Sequence, residues 1–485
     1  MSAAIKSEYA PGEANSVVTV PPLNLRYRRA KTWQNWGQTA RCRPAFSMYP
    51  QCLDDLIQIV NFAREEGKQV RAAASGHSWS ALVPTDEVLV FVHHLNKVTL
   101  DLSDDAHPRV VVESGATVKD VNDVLEQHGY ALPLNVVLES VRFGGLIATG
   151  SHGSGWNNGT LSDLVHAVEI VTASGELRKF EAGIDSDEVM NAARLNLGMF
   201  GLIYRMILNV QKSWTVRALD RRVPIEHVFE NLKGWVVAHD NLDLFWWPFC
   251  DQFWVKSWQR VEAQVTARPR HSLNDKVGAA VSSRFLRESL RVSATFPRLT
   301  PGISQMIFRA TPSERDEVVD VVEAVHYRRA IEVAKMGCVE IGFKIDPDFE
   351  NVKWAIRAVF ERVQAYAGHG QYPMNVTMNV RFIHKSDCWL SPAFGHGHTC
   401  YIEILSRTNQ TNWERFSGEV ALDWLTLPQA RPHWAKEYRH IPGIIEAIKR
   451  NSGENIQRFN RIKEQLQVDP THMFVNHALR EVFLT

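Results

Sequence analysis

A histidine set between glycine and hydroxyl side chains, Ser75-Gly76-His77-Ser78, follows a short apolar run, Val70-Arg71-Ala72-Ala73-Ala74. A second string of small residues comes later: Gly144-Gly145-Leu146-Ile147-Ala148-Thr149-Gly150-Ser151-His152-Gly153-Ser154-Gly155. Glycine lets a backbone approach a ligand closely, and successive N–H groups in such turns make an anion-binding concavity. Two such loops in one chain suit a large phosphate-bearing cofactor. Further on, Glu403 sits between Ile402 and Ile404 in a period-two pattern, so it either faces solvent or is set in a pocket. His396, His398 and Cys400, also two apart, read as metal ligands or as a polar wall or loop. No fourth ligand or open position can be named for a metal there, and the polar wall or loop is preferred.

Competing nucleotide motifs fail on spacing. Gly153-Ser154-Gly155-Trp156-Asn157-Asn158-Gly159 has one residue too many for a dinucleotide fingerprint, and there is no GxxxxGK phosphate loop. Gly76-His77-Ser78-Trp79-Ser80 lacks the second glycine of a nucleophile elbow. Lys+Arg and Asp+Glu balance at 54 each in 485 residues, which argues against nucleic acid as a partner. No apolar run reaches the length of a membrane span, and the polar segment 1–24 has no apolar core of an export signal. Six cysteines without CxxC spacing read as reduced thiols, and the expected location is the cytoplasm. The tryptophans of 244–258 read as core or as the wall of an aromatic pocket.

Elements must deliver these residues. Leu53, Leu56, Ile57, Val60 and Ala63 recur at helical spacing within 50–66, and a strand over 69–73 leads into the His77 loop. Strands are expected at 88–93 and 110–112, and a capping-box helix opens at Thr117. A hairpin follows over 165–172 and 176–180, then a helix capped by Ser186 and a strand over 201–210. From about Trp214 to Leu427 aromatic, alternating patterns dominate, and the tail reads as two helices, 441–450 and 456–466.

Taken together, the loops resemble the flavin domain of the vanillyl-alcohol-oxidase flavoproteins, and more narrowly that of the aldonolactone and alditol oxidases. Val380-Arg381-Phe382 with Leu390-Ser391-Pro392, Arg431-Pro432-His433-Trp434-Ala435-Lys436, and the run from Asp469-Pro470 to Val475-Asn476 carry the likeness across nearly the whole chain. The resemblance implies an α+β fold of two lobes, a PCMH-type FAD-binding domain and an α+β cap. The boundaries expected are a tail at 1–37, the FAD domain at 38–212, the cap at 213–430, and a segment 431–485 returning to the FAD domain. It assigns FAD to Arg71, Ala73, Ser75, Gly76, His77 and Ser78 on the first loop and its strand. On the second it assigns Gly144, Gly145, Thr149, Gly150, Ser151, His152, Gly153, Ser154 and Gly155, with Ile203 beyond.

The resemblance implies that His77 carries the flavin covalently; no cysteine near 154–158 offers a second link. Lys436 matches the lysine beside flavin N1, and Arg381 matches an arginine that holds substrate oxygens. Where the family has Glu-x-Arg, this chain has Asn379-Val380-Arg381, and Glu403 is the candidate replacement for the lost carboxylate. The implied reaction is oxidation of CH–OH in a lactone or polyol by hydride transfer to flavin N5, with O2 as acceptor and small residues near Ala148 and Ser151 giving access. The alternatives are a dehydrogenase with another acceptor, a tailoring oxidase for a hydrophobic product, and a flavin-binding protein without turnover.

Overall fold

The computed structural model describes residues 25–263, 273–311, 313–326 and 335–484. The polar segment 1–24, most of the expected N-terminal tail, lies outside the described residues.

The chain first builds a four-stranded sheet from Tyr27–Arg29 (β1), Phe46–Met48 (β2), Val70–Ala73 (β3) and Val88–Phe91 (β4), in the order β1-β2-β4-β3. Helix α1, Leu53–Glu65, packs here because Leu56, Ile59, Val60 and Ala63 share one apolar face and are fully buried. Residues 69–73 thus arrive as a buried parallel strand, β3, whose exit is the His77 loop. A second sheet has five antiparallel strands: Val98–Asp101 (β5), Arg109–Glu113 (β6), Val165–Val171 (β7), Leu177–Glu181 (β8) and Leu202–Asn209 (β9), in the order β8-β7-β9-β6-β5. Helix α2, Val118–Gln127, opens with the expected capping box between Thr117 and Asp120. The second glycine string is partly helical, Phe143–Ala148 (α3), and Ser186 caps Asp187–Ala193 (α4).

Beyond residue 214 the chain forms an eight-stranded sheet. Its strands are Thr215–Pro224 (β10), Asn241–Trp246 (β11), Gln252–Val261 (β12), Glu314–Asp320 (β13), Met336–Lys344 (β14), Met378–His384 (β15), His398–Arg407 (β16) and Arg431–Pro432 (β17). They lie in the order β13-β10-β12-β11-β15-β16-β14-β17, and each neighbouring pair is antiparallel. The tail forms one continuous helix, Ile444–Gln465 (α5), where the sequence suggested two. The Asn451-Ser452-Gly453 interruption continues the helix, since Asn451 Nδ2 donates to Ala430 O on the neighbouring chain. The last residues return to the first lobe: Val70 N donates to Met473 O, Arg71 Nη1 to Phe474 O, and Asn476 Nδ2 to the Ala81, Leu82 and Pro84 carbonyls. The molecule is therefore the two-lobed α+β architecture. No described helix is long and apolar enough to cross a membrane.

Candidate active site

Both glycine loops and one face of the eight-stranded sheet line a single cavity of about 480 Å3. Of the residues singled out in the sequence, Arg71, Ser75, Gly76, His77, Ser78, Gly144, Gly145, Thr149, Ser151, His152, Gly153, Ser154, Ile203, Arg381 and Lys436 lie on its wall. Ala73 is buried among Trp33, Ala40 and Leu89, away from the wall. Gly150 and Gly155 sit behind the wall, where Gly155 N donates to Phe382 O and joins the loop to β15. Asn379 and Glu403 also lie behind it.

Gly76 has φ +70°, a left-handed conformation that frees the next residue to leave the strand direction. At Gly144 a Cβ would come within 2.8 Å of Ser114 O, so this turn needs glycine to pack against β6. His77 is stacked on Trp36, centroids 5.2 Å apart, and its buried Nδ1 has no hydrogen-bond partner. Burial, with Lys335 nearby, lowers its pKa to about 4, so the ring is a neutral nucleophilic imidazole at neutral pH. An orphaned buried nitrogen on the wall of a glycine-lined cavity fits a flavin attached there. Trp36 meets Trp79 edge-on at 5.8 Å, Lys436 Nζ lies 4.8 Å from the Trp79 ring centre, and Trp79 Nε1 ties the loop to β14 by donating to Met336 O at 2.6 Å.

The polar centre is a product of strand register. Side chains directly opposite one another on paired strands share a face. One row reads Asp220, Lys256, Asp243, Arg381, Tyr401, Gly342. The adjacent row on β15, β16 and β14 reads Asn379, Glu403, Glu340. Because the two rows are two residues apart along each strand, all these positions face the same way.

Glu403 is 3% exposed and its oxygens are fully committed. Oε1 accepts from Asn379 Nδ2 at 2.6 Å and pairs with Arg381 Nη2 at 3.0 Å. Oε2 accepts from Lys436 Nζ at 2.8 Å and from Cys338 Sγ at 3.3 Å. Burial alone would raise this carboxyl, but Arg381 and Lys436 outweigh it and hold it at about 2. Glu340, on the cavity wall, pairs with Lys436 Nζ at 3.5 Å and Arg381 Nη1 at 3.5 Å, while its Oε1 has no hydrogen-bond partner. Against the cost of burial, Lys436 and His152 keep it well below the usual carboxylate range. Asp243 also faces the cavity, 3.7 Å from Arg381 Nε, with Oδ1 lacking a hydrogen-bond partner. Here burial prevails over Arg381 and the carboxyl is raised. For Lys436, burial is overcome by Cys338, Glu340 and Glu403, which raise its pKa and keep it charged.

Glu340, Asp243 and His433 were not singled out in the sequence. Their signal was the one that drew attention to Glu403, a charged residue inside a β-branched or apolar strand: Val339-Glu340-Ile341 and Leu242-Asp243-Leu244. His433 lies inside a string that was read only for Lys436. Its Nδ1 accepts from Ala435 N at 3.1 Å, and burial lowers its pKa to about 3. Ligand atoms of His152, Glu340 and His433 lie within 4.8 Å of one another. Lys436 and Arg381 already face Glu340, so this trio belongs to the charge balance of the site. His152 stacks on Tyr401, centroids 3.8 Å apart, where a Cβ on Gly342 would sit 2.8 Å from the Tyr401 ring.

His396, His398 and Cys400 do not converge. His396 Nδ1 meets Thr399 Oγ1 at 2.9 Å, His398 stacks on Trp156 at 3.4 Å, and Cys400 is fully buried. The tryptophans divide: Trp246, Trp247 and Trp254 are buried, while Trp79, Trp214 and Trp258 line the cavity.

The chain is similar to known proteins along most of its length. Residues 44–181 match the FAD binding domain family. The shark Scyliorhinus torazame has an L-gulonolactone oxidase 25% identical over 466 residues, covering 93% of this chain and 98% of its own. An L-gulono-1,4-lactone dehydrogenase of Mycobacterium tuberculosis is 26% identical over 452 residues, with the same coverage of 93% and 98%. In solved structures, a solvent-stable cholesterol oxidase superposes with TM-score 0.78 at 18% identity, over 95% of this chain and 99% of that one. A cholesterol oxidase from B. sterolicum gives 0.75 at 15%, over 96% and 100%. The loops, the cavity and these likenesses make the chain an FAD-dependent oxidoreductase. With residues 206–482 matching the D-arabinono-1,4-lactone oxidase family, it belongs to that family.

Proposed function

We propose that the chain oxidises a secondary CH–OH group of a sugar lactone or closely related polyol, using FAD linked covalently to His77. One observation carries this reading: Arg381 and Lys436 are held by buried carboxylates at a cavity wall shared with both glycine loops. The relatives named as lactone oxidases and a lactone dehydrogenase support the substrate class. Bound FAD supplies the hydride acceptor, and the protein supplies orientation and electrostatics.

Arg381 holds the substrate oxygen and stabilises negative charge as the hydroxyl proton leaves; a guanidinium cannot itself take that proton. Asp243 receives it. Of the cavity-facing carboxyls, Asp243 combines a raised pKa with an oxygen free of hydrogen bonds, whereas Glu340 is held low. Lys436 would hold positive charge beside the bound flavin. Glu403 is a positioning residue: it fixes Arg381 and Lys436 and supplies the carboxylate that Asn379 lacks. Oxygen is the proposed acceptor, with Ala148 and Ser151 on the cavity wall leaving room for it. In the same reading residues 38–212 with 431–485 form the flavin lobe, and 213–430 the substrate lobe.

The test is anaerobic mixing of the purified flavoprotein with L-gulono-1,4-lactone, D-arabinono-1,4-lactone and alditols. Bleaching of the flavin band by a lactone, followed by rapid recovery in air, is expected. Bleaching with slow recovery in air would replace oxygen by another acceptor. No bleaching by any of these compounds would remove the substrate class.

A further inference from the structure

The helical hairpin Leu273–Thr295 and Thr300–Arg309 carries an apolar stripe that the fold leaves uncovered. Its inner residues do ordinary core work. Leu290 packs with Met336, Cys338 and Leu405 beside Trp36 and Trp79, and Ile303, Ile307 and Phe308 pack with Phe245 and Trp254. Its outer residues do not. Phe285 is 42% exposed, Val292 41%, Phe296 59%, Leu299 52% and Met306 42%. Phe285 and Val292 are seven residues apart and lie on one face of the first helix, while Leu299 ends the short turn Pro297–Leu299 that leads into the second. Leu299 N donates to Phe296 O at 2.9 Å, which joins the two stripes at the tip.

The charge around this stripe is one-sided. Arg284, Arg287, Arg291, Arg298 and Arg309 are all exposed, and Glu288 is the one acidic residue of 284–309. The whole chain is electrically balanced, with 54 basic and 54 acidic residues, so this is a local concentration. Exposed aromatic and aliphatic side chains flanked by arginines on a helix are the makings of an interfacial surface, with apolar groups entering the acyl boundary and cations meeting anionic headgroups.

We propose that this hairpin docks the enzyme peripherally on an anionic phospholipid surface. A second copy of the chain is a poorer occupant, because an isologous contact would set the arginines of one hairpin against those of the other. Docking would bring lipid close to the lobe that carries Trp36 and Trp79, which contact His77 and Lys436. The proposal stands independently of the lactone reading.

Vesicle flotation of the full-length flavoprotein tests it. Vesicles of phosphatidylcholine with phosphatidylglycerol are expected to carry the protein, and pure phosphatidylcholine vesicles to leave it behind, with binding lost at high salt. Phe296→Glu with Leu299→Glu should abolish flotation, and Arg298→Gln should weaken it about fivefold. Flavin content and substrate bleaching should be unchanged in both. Absence of flotation with either vesicle overturns the proposal, as does undiminished flotation of the double variant. A dimer in sedimentation that Phe296→Glu dissociates, without vesicle binding, would assign the surface to a second copy instead.

Discussion

Asn379 and Glu403 face each other across β15 and β16, and Asn379 Nδ2 donates to Glu403 Oε1 at 2.6 Å. The strand that the family marks by Glu-x-Arg thus carries the amide here, and the carboxylate sits one strand over, still 3.0 Å from Arg381. If Glu403 stands in for the displaced carboxylate, the two positions should be exchangeable as a pair. Glu403→Gln is expected to slow flavin reduction about 100-fold, because Arg381 and Lys436 lose the charge that orients them. Asn379→Glu alone should also slow it, by crowding another carboxylate against Glu403 and Glu340. The double variant Asn379→Glu/Glu403→Asn should recover to within about tenfold of the wild type. Stopped-flow reduction measures all three. A double variant no faster than the singles would show that the exchange is not equivalent.

His77 offers a buried, unpaired Nδ1 to the cavity. Acid precipitation of the purified protein is therefore expected to leave yellow flavin in the pellet. His77→Ala should release it to the supernatant while the glycine loops still take up FAD. The stacking of His77 on Trp36 is lost in that variant, so a fall in thermal stability is also expected. Flavin in the wild-type supernatant would rule out the link and leave the fold and the cavity untouched.

Much of this site was legible in the sequence, and the reason is geometric. Glycine strings carry their function in composition, because glycine most readily adopts the φ of Gly76 and a Cβ would block the approach of Gly144 to Ser114. Glu403 stood out as a charge inside an apolar run, and Arg381 and Lys436 through the family resemblance of the strings that carry them. Long-range register was not legible. That Glu340 lies opposite Glu403, or Asp243 opposite Arg381, depends on the pairing of β14 with β16 and of β11 with β15. Those strands are separated in sequence by helices, and β11 is separated from β15 also by residues outside the described structure. The same limit hid the fate of His396, His398 and Cys400: their spacing was right for one face, but His396 lies before β16 begins.

Asp243 is expected to set the acid limb of the rate profile. Burial raises its carboxyl, and the charged form is the one that accepts a proton. Activity should therefore rise with pH as this group ionises. Asp243→Asn should lower the rate of flavin reduction by about 100-fold or more and flatten that limb. Glu340→Gln should lower the rate without removing the limb, since its charge is already held in place by Lys436 and Arg381. A limb that survives Asp243→Asn and vanishes in Glu340→Gln would transfer the role.

Glu437 adds a pH dependence to stability. Burial raises its pKa to about 7 from 4.5, and Cys338 N donates to its Oε1 at 2.6 Å. Between pH 4.5 and 7 the folded protein holds this proton while the unfolded chain has released it. Stability from this group is thus fully present below pH 4.5 and declines as pH rises through 7, by about 3 kcal/mol in all. Glu437→Gln keeps a neutral side chain at every pH. It should match the wild type at pH 4.5 and be more stable than it at pH 8, as read by denaturant melts at the two values. Equal stability of the two proteins at both pH values would mean that Glu437 ionises normally in the folded state, with water or a cation reaching it behind β14.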